Sequence, residues 1–314
     1  MILGVPAVDG HQLTGNLIMS MVDSVADPSK LKVVIIDNGS ALPYDWSVYR
    51  NYPFSIDVTR YPVNMGFYYP LLDLALDYPD EEIGLIHNDM VLYTHGWDIL
   101  MRQAFERDPK LGLIGLCGSN EIDERGGRGN GTMCNFMGRE ISVGPTIYKG
   151  QDPSAGRRIA GLEPAAVLDS LFMLFRRDVI AKLVDNSEQW SELPLAHFYD
   201  RIWPVRAIED GYRVGVMGID CDHLGGMTTT GNERYRADCI VWLDAHNIPY
   251  RTDGPDMVVA AEKQDPRNIP CGNPETQMYL YAESRFLTEY LDQKHFIPCR
   301  VGEDYGITHT FGRA

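Results

Sequence analysis

The chain has 314 residues, 44% of them apolar and 10% aromatic, and carries a formal net charge of −16. That length suits one large domain or two modest ones, and that apolar content can bury a core, which excludes a disordered composition. The negative charge argues against a protein whose main task is gripping nucleic acid by its phosphates, and no apolar run approaches the roughly 18 residues that a membrane span needs.

The opening residues Met1-Ile-Leu-Gly-Val5 read as a core strand, not as the basic and apolar regions of a secretory leader. Cys117, Cys134, Cys221, Cys239, Cys271 and Cys299 include no Cys-x-x-Cys pair. They outline neither a disulfide framework nor a zinc site, so reduced thiols in a cytoplasmic compartment are expected. Leu13, Leu17, Ile18, Met21, Val22 and Val25 then recur at helical spacing, with Asp9 or Thr14 as cap candidates and Asp27-Pro28 as the stop. Leu31–Asp37 is a second apolar strand and runs into Asp37-Asn38-Gly39-Ser40. An acid there is placed either to bind a ribose or base edge or to make an ordinary Asx turn.

Ile56–Arg60 reads as a short strand. Asn64-Met65-Gly66-Phe67 precedes an amphipathic helix through Leu71, Leu72, Leu74, Ala75 and Leu76 that ends near Tyr78-Pro79. A glycine before a helix lets a ligand approach the backbone, and a helix N-terminus favours phosphate. In Gly84–Leu92 an apolar run climbs to His87-Asn88-Asp89 and turns apolar again. This is either a buried strand whose end opens onto a crevice, where open α/β sheets bind ligands, or a strand followed by a polar turn. Trp97–Phe105 reads as a helix and Leu111–Leu116 as a buried strand.

From Gly118 to Gly161 the pattern dissolves. Gly126, Gly127, Gly129 and Gly131 lie among Arg125 and Arg128, with Arg157-Arg158 further on, and the stretch reads as a long flexible loop. Its arginines either approach a phosphate or are simply solvated. Val167–Phe175 reads as one strand carrying Asp169, followed by a helix through Val179, Ile180, Leu183 and Val184. His197 to Ile208 reads as one helix closed by Gly211, with Pro204 tolerable only near a first turn or at a kink. Tyr212–Ile219 is a further strand ending in Asp220-Cys221-Asp222-His223. Beyond about Pro249 prolines and polar residues dominate until an amphipathic helix at Met278–Leu291. Strands alternating with helices predict an α/β domain with a mostly parallel sheet flanked by helices.

Two chemistries can be read from these pieces. A carboxylate at Asp89 and an imidazole at His223, completed by phosphate oxygens, suit Mn2+ or Mg2+ held jointly with a substrate, where the ion would neutralise a diphosphate leaving group. His223 is otherwise a polar residue after a strand. Asp200, among Phe198, Tyr199 and Trp203, is either a general base or a helix N-terminal acid favoured by the macrodipole.

The order of these pieces resembles the nucleotide-sugar-dependent glycosyltransferases of the GT-A fold, family-two-like, with viral and phage-type members among them. The resemblance covers roughly residues 1 to 230. It rests on Pro6-Ala7 after the first strand, Asp37-Asn38-Gly39-Ser40, Asn64-x-Gly66, His87-Asn88-Asp89, Trp97, Gly112-Leu-Ile-Gly115, the Asp200 to Val214 segment and His223. It implies a GT-A (Rossmann-like) domain at residues 1–248, with a nucleotide-binding half over about 1–116 and an acceptor half over about 117–248. Residues 249–314 would form a helical or irregular C-terminal extension. Pro6, Ala7, Asp37, Asn38, Asn64, Gly66, His87 and Asn88 would bind the donor, and Asp89 and His223 the metal. Asp200 would be the base, with Trp97, Asp169, Tyr199 and Trp203 on the acceptor side. His87 stands where the family's Asp-x-Asp motif has its first acid, and Tyr199 stands where an acid often precedes the base.

The implied reaction is a metal-dependent, inverting transfer of a sugar from a nucleoside-diphosphate sugar, with UDP as the expected nucleotide, to a hydroxyl of a glycan, a protein or a hydroxylated base in viral DNA. The alternatives are a non-catalytic nucleotide-sugar-binding module and a nucleotidyltransferase. The latter usually brings basic residues directly after the first strand, where this chain has Pro6-Ala-Val-Asp-Gly10.

Overall fold

A computed structural model describes residues 1–120, 128, 131–185, 199–225, 299–300 and 308–309. The first half is built from β1 (Ile2–Ala7), α1 (His11–Ser24), β2 (Lys32–Asn38), β3 (Ser55–Tyr61), α2 (Tyr68–Asp77) and β4 (Ile83–Ile86). β1 runs parallel to both β2 and β4, and β2 runs parallel to β3. Every residue of β1 and β4 is buried. Their unbroken apolar runs follow from helices covering both faces of the sheet. β3, at the edge, alternates between exposed and partly buried residues over Ser55–Thr59 and ends in the buried Tyr61.

The chain continues through β5 (Met90–Leu92), α3 (Trp97–Arg107), β6 (Leu111–Gly115), β7 (Cys117–Ser119), β8 (Met133–Cys134), β9 (Glu140–Val143), β10 (Thr146–Lys149), β11 (Leu162–Pro164), β12 (Val167–Leu168) and β13 (Phe172–Phe175). α4 (Arg177–Asp185), α5 (Tyr199–Glu209), β14 (Arg213–Met217) and β15 (Cys221–His223) follow. Among the described residues the central sheet has eight strands in the order β11-β14-β6-β13-β4-β1-β2-β3. It is mostly parallel, with β13 antiparallel between β4 and β6 and β11 antiparallel to β14 at the edge. One core, with Leu17, Met21, Trp97 and Met101, lies under α1 and α3. The other, with Leu71, Leu74, Val179 and Trp203, lies under α2, α4 and α5. The α/β fold with a mostly parallel, helix-flanked sheet is as expected.

Three local expectations are corrected. Neither Asp9 nor Thr14 caps α1: the N-cap is Gly10, and the Thr14 hydroxyl instead donates to the Gly10 carbonyl at 3.0 Å. The Asp9 carboxylate accepts from the Ala41 N–H at 2.8 Å. The stretch from Gly118 to Gly161 is no single loop, because β8 pairs with β7 and β9 forms a hairpin with β10. Its ordering partner is remote in sequence: the Asp222 carboxylate accepts the backbone N–H groups of Met137, Gly138 and Arg139 at 3.1, 2.7 and 3.0 Å. The strand expected over Val167–Phe175 is broken at Asp169, whose Oδ1 accepts the Leu171 N–H at 3.1 Å, so β12 joins β7 in a small sheet while β13 enters the central one. Pro204 sits within α5 beyond its first turn, where its missing N–H leaves the Asp200 carbonyl without its helical donor.

Cys117, Cys134 and Cys221 are buried free thiols. Among the described residues no helix is long and apolar enough to cross a membrane. Arg125, Gly126, Gly127, Gly129, His197 and Phe198, the helix expected at Met278–Leu291 and nearly all of 249–314 lie outside the described residues. Of that last segment, Cys299–Arg300 and Thr308–His309 pair as an antiparallel ribbon.

Candidate functional site

The carboxyl ends of β1, β2 and β4 lie along one edge because the three strands are parallel. β4 ends at Ile86, and the chain turns through His87-Asn88-Asp89 before β5. The His87 N–H donates to the Leu171 carbonyl at 3.0 Å, and the Met90 N–H donates back to the His87 carbonyl at 3.3 Å. β5 then pairs antiparallel with β15, with His223 opposite Met90. That register carries His223 beside Asp89, and the Leu224 N–H donates to the Asp89 carbonyl at 2.9 Å.

Three ligand-type atoms converge here. His223 Nε2 is 3.2 Å from Asp89 Oδ1, and His87 Nδ1 is 3.5 Å from His223 Nε2 and 3.9 Å from Asp89 Oδ1. The three side chains are largely buried, and among the described residues Asp89 Oδ1 has no partner in hydrogen-bonding geometry. Gly225 is what lets the carboxylate lie against the chain, since an added Cβ there would overlap Asp89 Oδ2. Burial, joined by the charge of His223, pushes the His87 imidazole down to about 4 against the opposing pull of Asp89 and Asp200. For Asp89 burial acts upward, but the His223 contact and the charges of His223 and His87 outweigh it and hold the carboxyl below its ordinary value. At neutral pH His87 is therefore neutral and Asp89 ionised, the forms that bind cations. An ionised carboxylate oxygen buried without a hydrogen-bond donor is costly, and a cation shared with two imidazoles would relieve that cost. The donor set fits a divalent metal ion.

The other expected donor residues lie at or near the same edge of the sheet. Pro6 and Ala7 are buried at the end of β1. The Asn38 amide donates to Asn64 Oδ1 and to the Gly66 carbonyl, both at 2.9 Å, and its oxygen accepts the Met65 N–H at 2.7 Å. That pins the Asn64–Gly66 turn and sets the Phe67 ring on His87, with centroids 5.3 Å apart. Asn88 turns the other way, donating to Thr14 Oγ1 at 3.2 Å. Asp37 is fully buried, and its carboxylate accepts from the N–H groups of Ser40 and Tyr44 and from Arg60. Burial alone would raise the Asp37 carboxyl, but the Ser40 and Tyr44 hydrogen bonds and the Arg60 charge leave it lowered.

Asp200, in the first turn of α5, is buried, and its Oδ2 accepts from the Ser170 N–H at 3.3 Å and from the Arg201 guanidinium. It is near enough for its charge to act on His87. Tyr199 packs between Phe67 and Trp203, with centroids at 5.2 and 4.7 Å, so Phe67 links the His87 and Asp200 sides. Asp169 pairs with Arg128 from the glycine-rich stretch.

Trp97 and Trp203 are not brought to this cluster. Each is 1% exposed. The Trp97 indole donates to Ser24 Oγ at 3.1 Å on the α1 side, and Trp203 packs beneath Tyr199 on Tyr68 and Phe175. Sequence reasoning missed Phe67, Ser170 and Gly225. Phe67 directly follows Gly66, and Gly225 falls two residues after His223, but neither position signals a ligand until β5 meets β15.

No family model matches the chain, and no curated protein matches it. Solved structures do show likeness. S. aureus TarS, residues 1–349, is 14% identical, with 94% of this chain and 72% of that one covered and a TM-score of 0.45. The same TarS fragment in complex with UDP-GlcNAc is 14% identical over 91% of this chain and 80% of that one, with a TM-score of 0.44. The mannosyltransferase PcManGT from Pyrobaculum calidifontis, in complex with GDP-Man and Mn2+, is 14% identical over 81% of this chain and 65% of that one, with a TM-score of 0.47. Those ligands belong to those proteins.

Proposed function

We propose that the chain is a metal-dependent glycosyltransferase that moves a sugar from a UDP-sugar to an acceptor hydroxyl with inversion. The observation that carries this reading is the pairing of two carboxylates with different surroundings at one sheet edge. Asp89 lies in an imidazole cluster, with a buried oxygen that has no hydrogen-bond partner among the described residues, while Asp200 stands beyond Phe67 and the Asp169–Leu171 turn. A cation-holding acid and a second acid free of the cation suit the departure of a diphosphate and the deprotonation of a nucleophile.

In this reading the ends of β1 and β2, with Pro6, Ala7 and the Asp37–Asn38 corner, receive the base and ribose. The Asn64–Gly66 turn and Asn88 flank the diphosphate. Asp89 and His223 would hold Mn2+ or Mg2+, which supplies positive charge to the departing diphosphate. Asp200 takes the acceptor proton, its carboxylate held in orientation through Oδ2 by Ser170 and Arg201. The acceptor oxygen bonds to the anomeric carbon as the bond from that carbon to the diphosphate oxygen breaks on the opposite face, which inverts the centre. Asp169 and Tyr199 border the acceptor side, and a glycan hydroxyl is the acceptor we assign.

Asp200→Asn tests the reading. UDP-sugar affinity by calorimetry should stay within about twofold, while transfer should fall by roughly 10²- to 10⁴-fold, the usual contribution of a general base. Near-wild-type turnover in that variant would sink the assignment. One observation favours a second reading, a binding module without turnover: Arg201 and the Ser170 N–H already compete for the Asp200 carboxylate. That reading expects UDP-sugar binding with no UDP release on glycan, protein or DNA acceptors.

A further inference from the structure

We propose that His87 is a third protein ligand of the cation, making the centre a two-histidine, one-carboxylate face that selects Mn2+ and later transition ions over Mg2+. The inference rests on the metal-dependent reading of this edge and departs from a donor-contact role for His87.

Geometry carries it. The three ligand atoms stand 3.2, 3.5 and 3.9 Å apart. Ligand atoms on a common ion at about 2.1 Å are separated by about 3.0–3.5 Å for octahedral to tetrahedral angles. Two of the three separations, 3.2 and 3.5 Å, match that spacing, and the 3.9 Å His87–Asp89 edge would close by about 0.4 Å on a shared ion. His87 thus stands at one corner of a triangle close to the size that an ion needs.

The ligands are also braced. The Phe67 ring lies on the His87 imidazole, and Leu171 holds the His87 N–H. The Asp89 carbonyl accepts from Leu224, and the β5–β15 register sets His223. Each ligand is fixed by a different contact, so the face exists before an ion arrives and little ordering cost falls on binding.

The donor set determines the ion. Mg2+ favours six oxygen ligands at near-ideal octahedral angles and keeps several waters, whereas imidazole nitrogen suits transition ions. A second imidazole moves the site from hard toward borderline chemistry. The full chain should therefore bind Mn2+ at least about tenfold tighter than Mg2+, following the general order of affinity for nitrogen-containing sites.

The test uses the full chain with Mn2+, Mg2+ and Co2+ salts, with and without UDP. Pulsed electron paramagnetic resonance of the Mn2+-loaded wild type, with natural and 15N-labelled histidine, should detect two coordinated imidazole nitrogens; one only overturns the proposal, and this reading needs no variant to fold. His87→Ala should weaken Mn2+ binding by about tenfold or more, since even outer-shell changes cost that much, and should alter the Co2+ absorption spectrum. His87→Asp should lower the Mn2+/Mg2+ affinity ratio by about tenfold. Unchanged Mn2+ affinity in His87→Ala, or absence of Mn2+ binding with and without UDP, overturns the proposal. The two readings fail separately. Two-imidazole Mn2+ binding without any sugar transfer refutes the transferase alone, and Mn2+-dependent transfer with one coupled imidazole refutes the His87 assignment alone.

Discussion

At Asp89 a carboxylate has lost most of its water and gained two imidazoles, and the balance between those effects decides its state. The position depends on a neighbour with no side chain. Gly225→Ala would push a methyl group into Asp89 Oδ2. Mn2+ affinity, read by paramagnetic resonance, should fall by about tenfold or more, as for other displaced metal-site partners. Asp37 contrasts with it, because its carboxylate already accepts from Ser40, Tyr44 and Arg60. Its folded carboxyl is lowered, so the stability it contributes is fully present above about pH 4, its unfolded value, and is lost as pH falls through the lower folded value. Asp37→Asn should cost about 1–3 kcal/mol at neutral pH and should flatten the loss of stability below about pH 4, both measured by urea denaturation across pH 3–7. The sequence marks Asp37 as an acid at a strand end but not Arg60 as its partner, because that pairing exists only once β3 lies beside β2.

At the scale of elements, the β5–β15 ribbon does the assembling. It places His223 against the His87–Asp89 turn, and one residue earlier Asp222 gathers the Met137–Arg139 backbone and the Tyr93 hydroxyl. Asp222→Ala would orphan three backbone donors at once. It should cost about 3 kcal/mol or more in thermal or urea unfolding and should weaken Mn2+ binding through the loosened ribbon. The long buried strands β1, β2 and β6 were legible because burial on both faces leaves an apolar run that no loop shows. The segments at 118–161 and 167–175 were not, because what orders them is a carboxylate about 85 residues away in one case and a single Asx turn in the other.

For the whole molecule, the proposed donor and metal site predicts strong linkage between ligand and stability. UDP with Mn2+, each at about a hundredfold excess over its Kd, should stabilise the chain by about 2.7 kcal/mol or more, seen as a rise in Tm that EDTA reverses. A rise with UDP alone that EDTA leaves intact would count against metal-dependent donor binding.

By itself the sequence determined the alternation of strands and helices and the edge at which polar residues end apolar strands, and it marked Asp89, Asp200 and His223 as candidates. These follow from local periodicity and from the chemistry of side chains, which a chain carries before it folds. Only the tertiary structure decided that Trp97 and Trp203 are core residues, that Asp37 is engaged by Arg60, and that His87 stands at one corner of a triangle with Asp89 and His223. The reason is that His87 and His223 are 136 positions apart. Their distance is set by the register of two short strands, and no local pattern encodes a register between segments so remote.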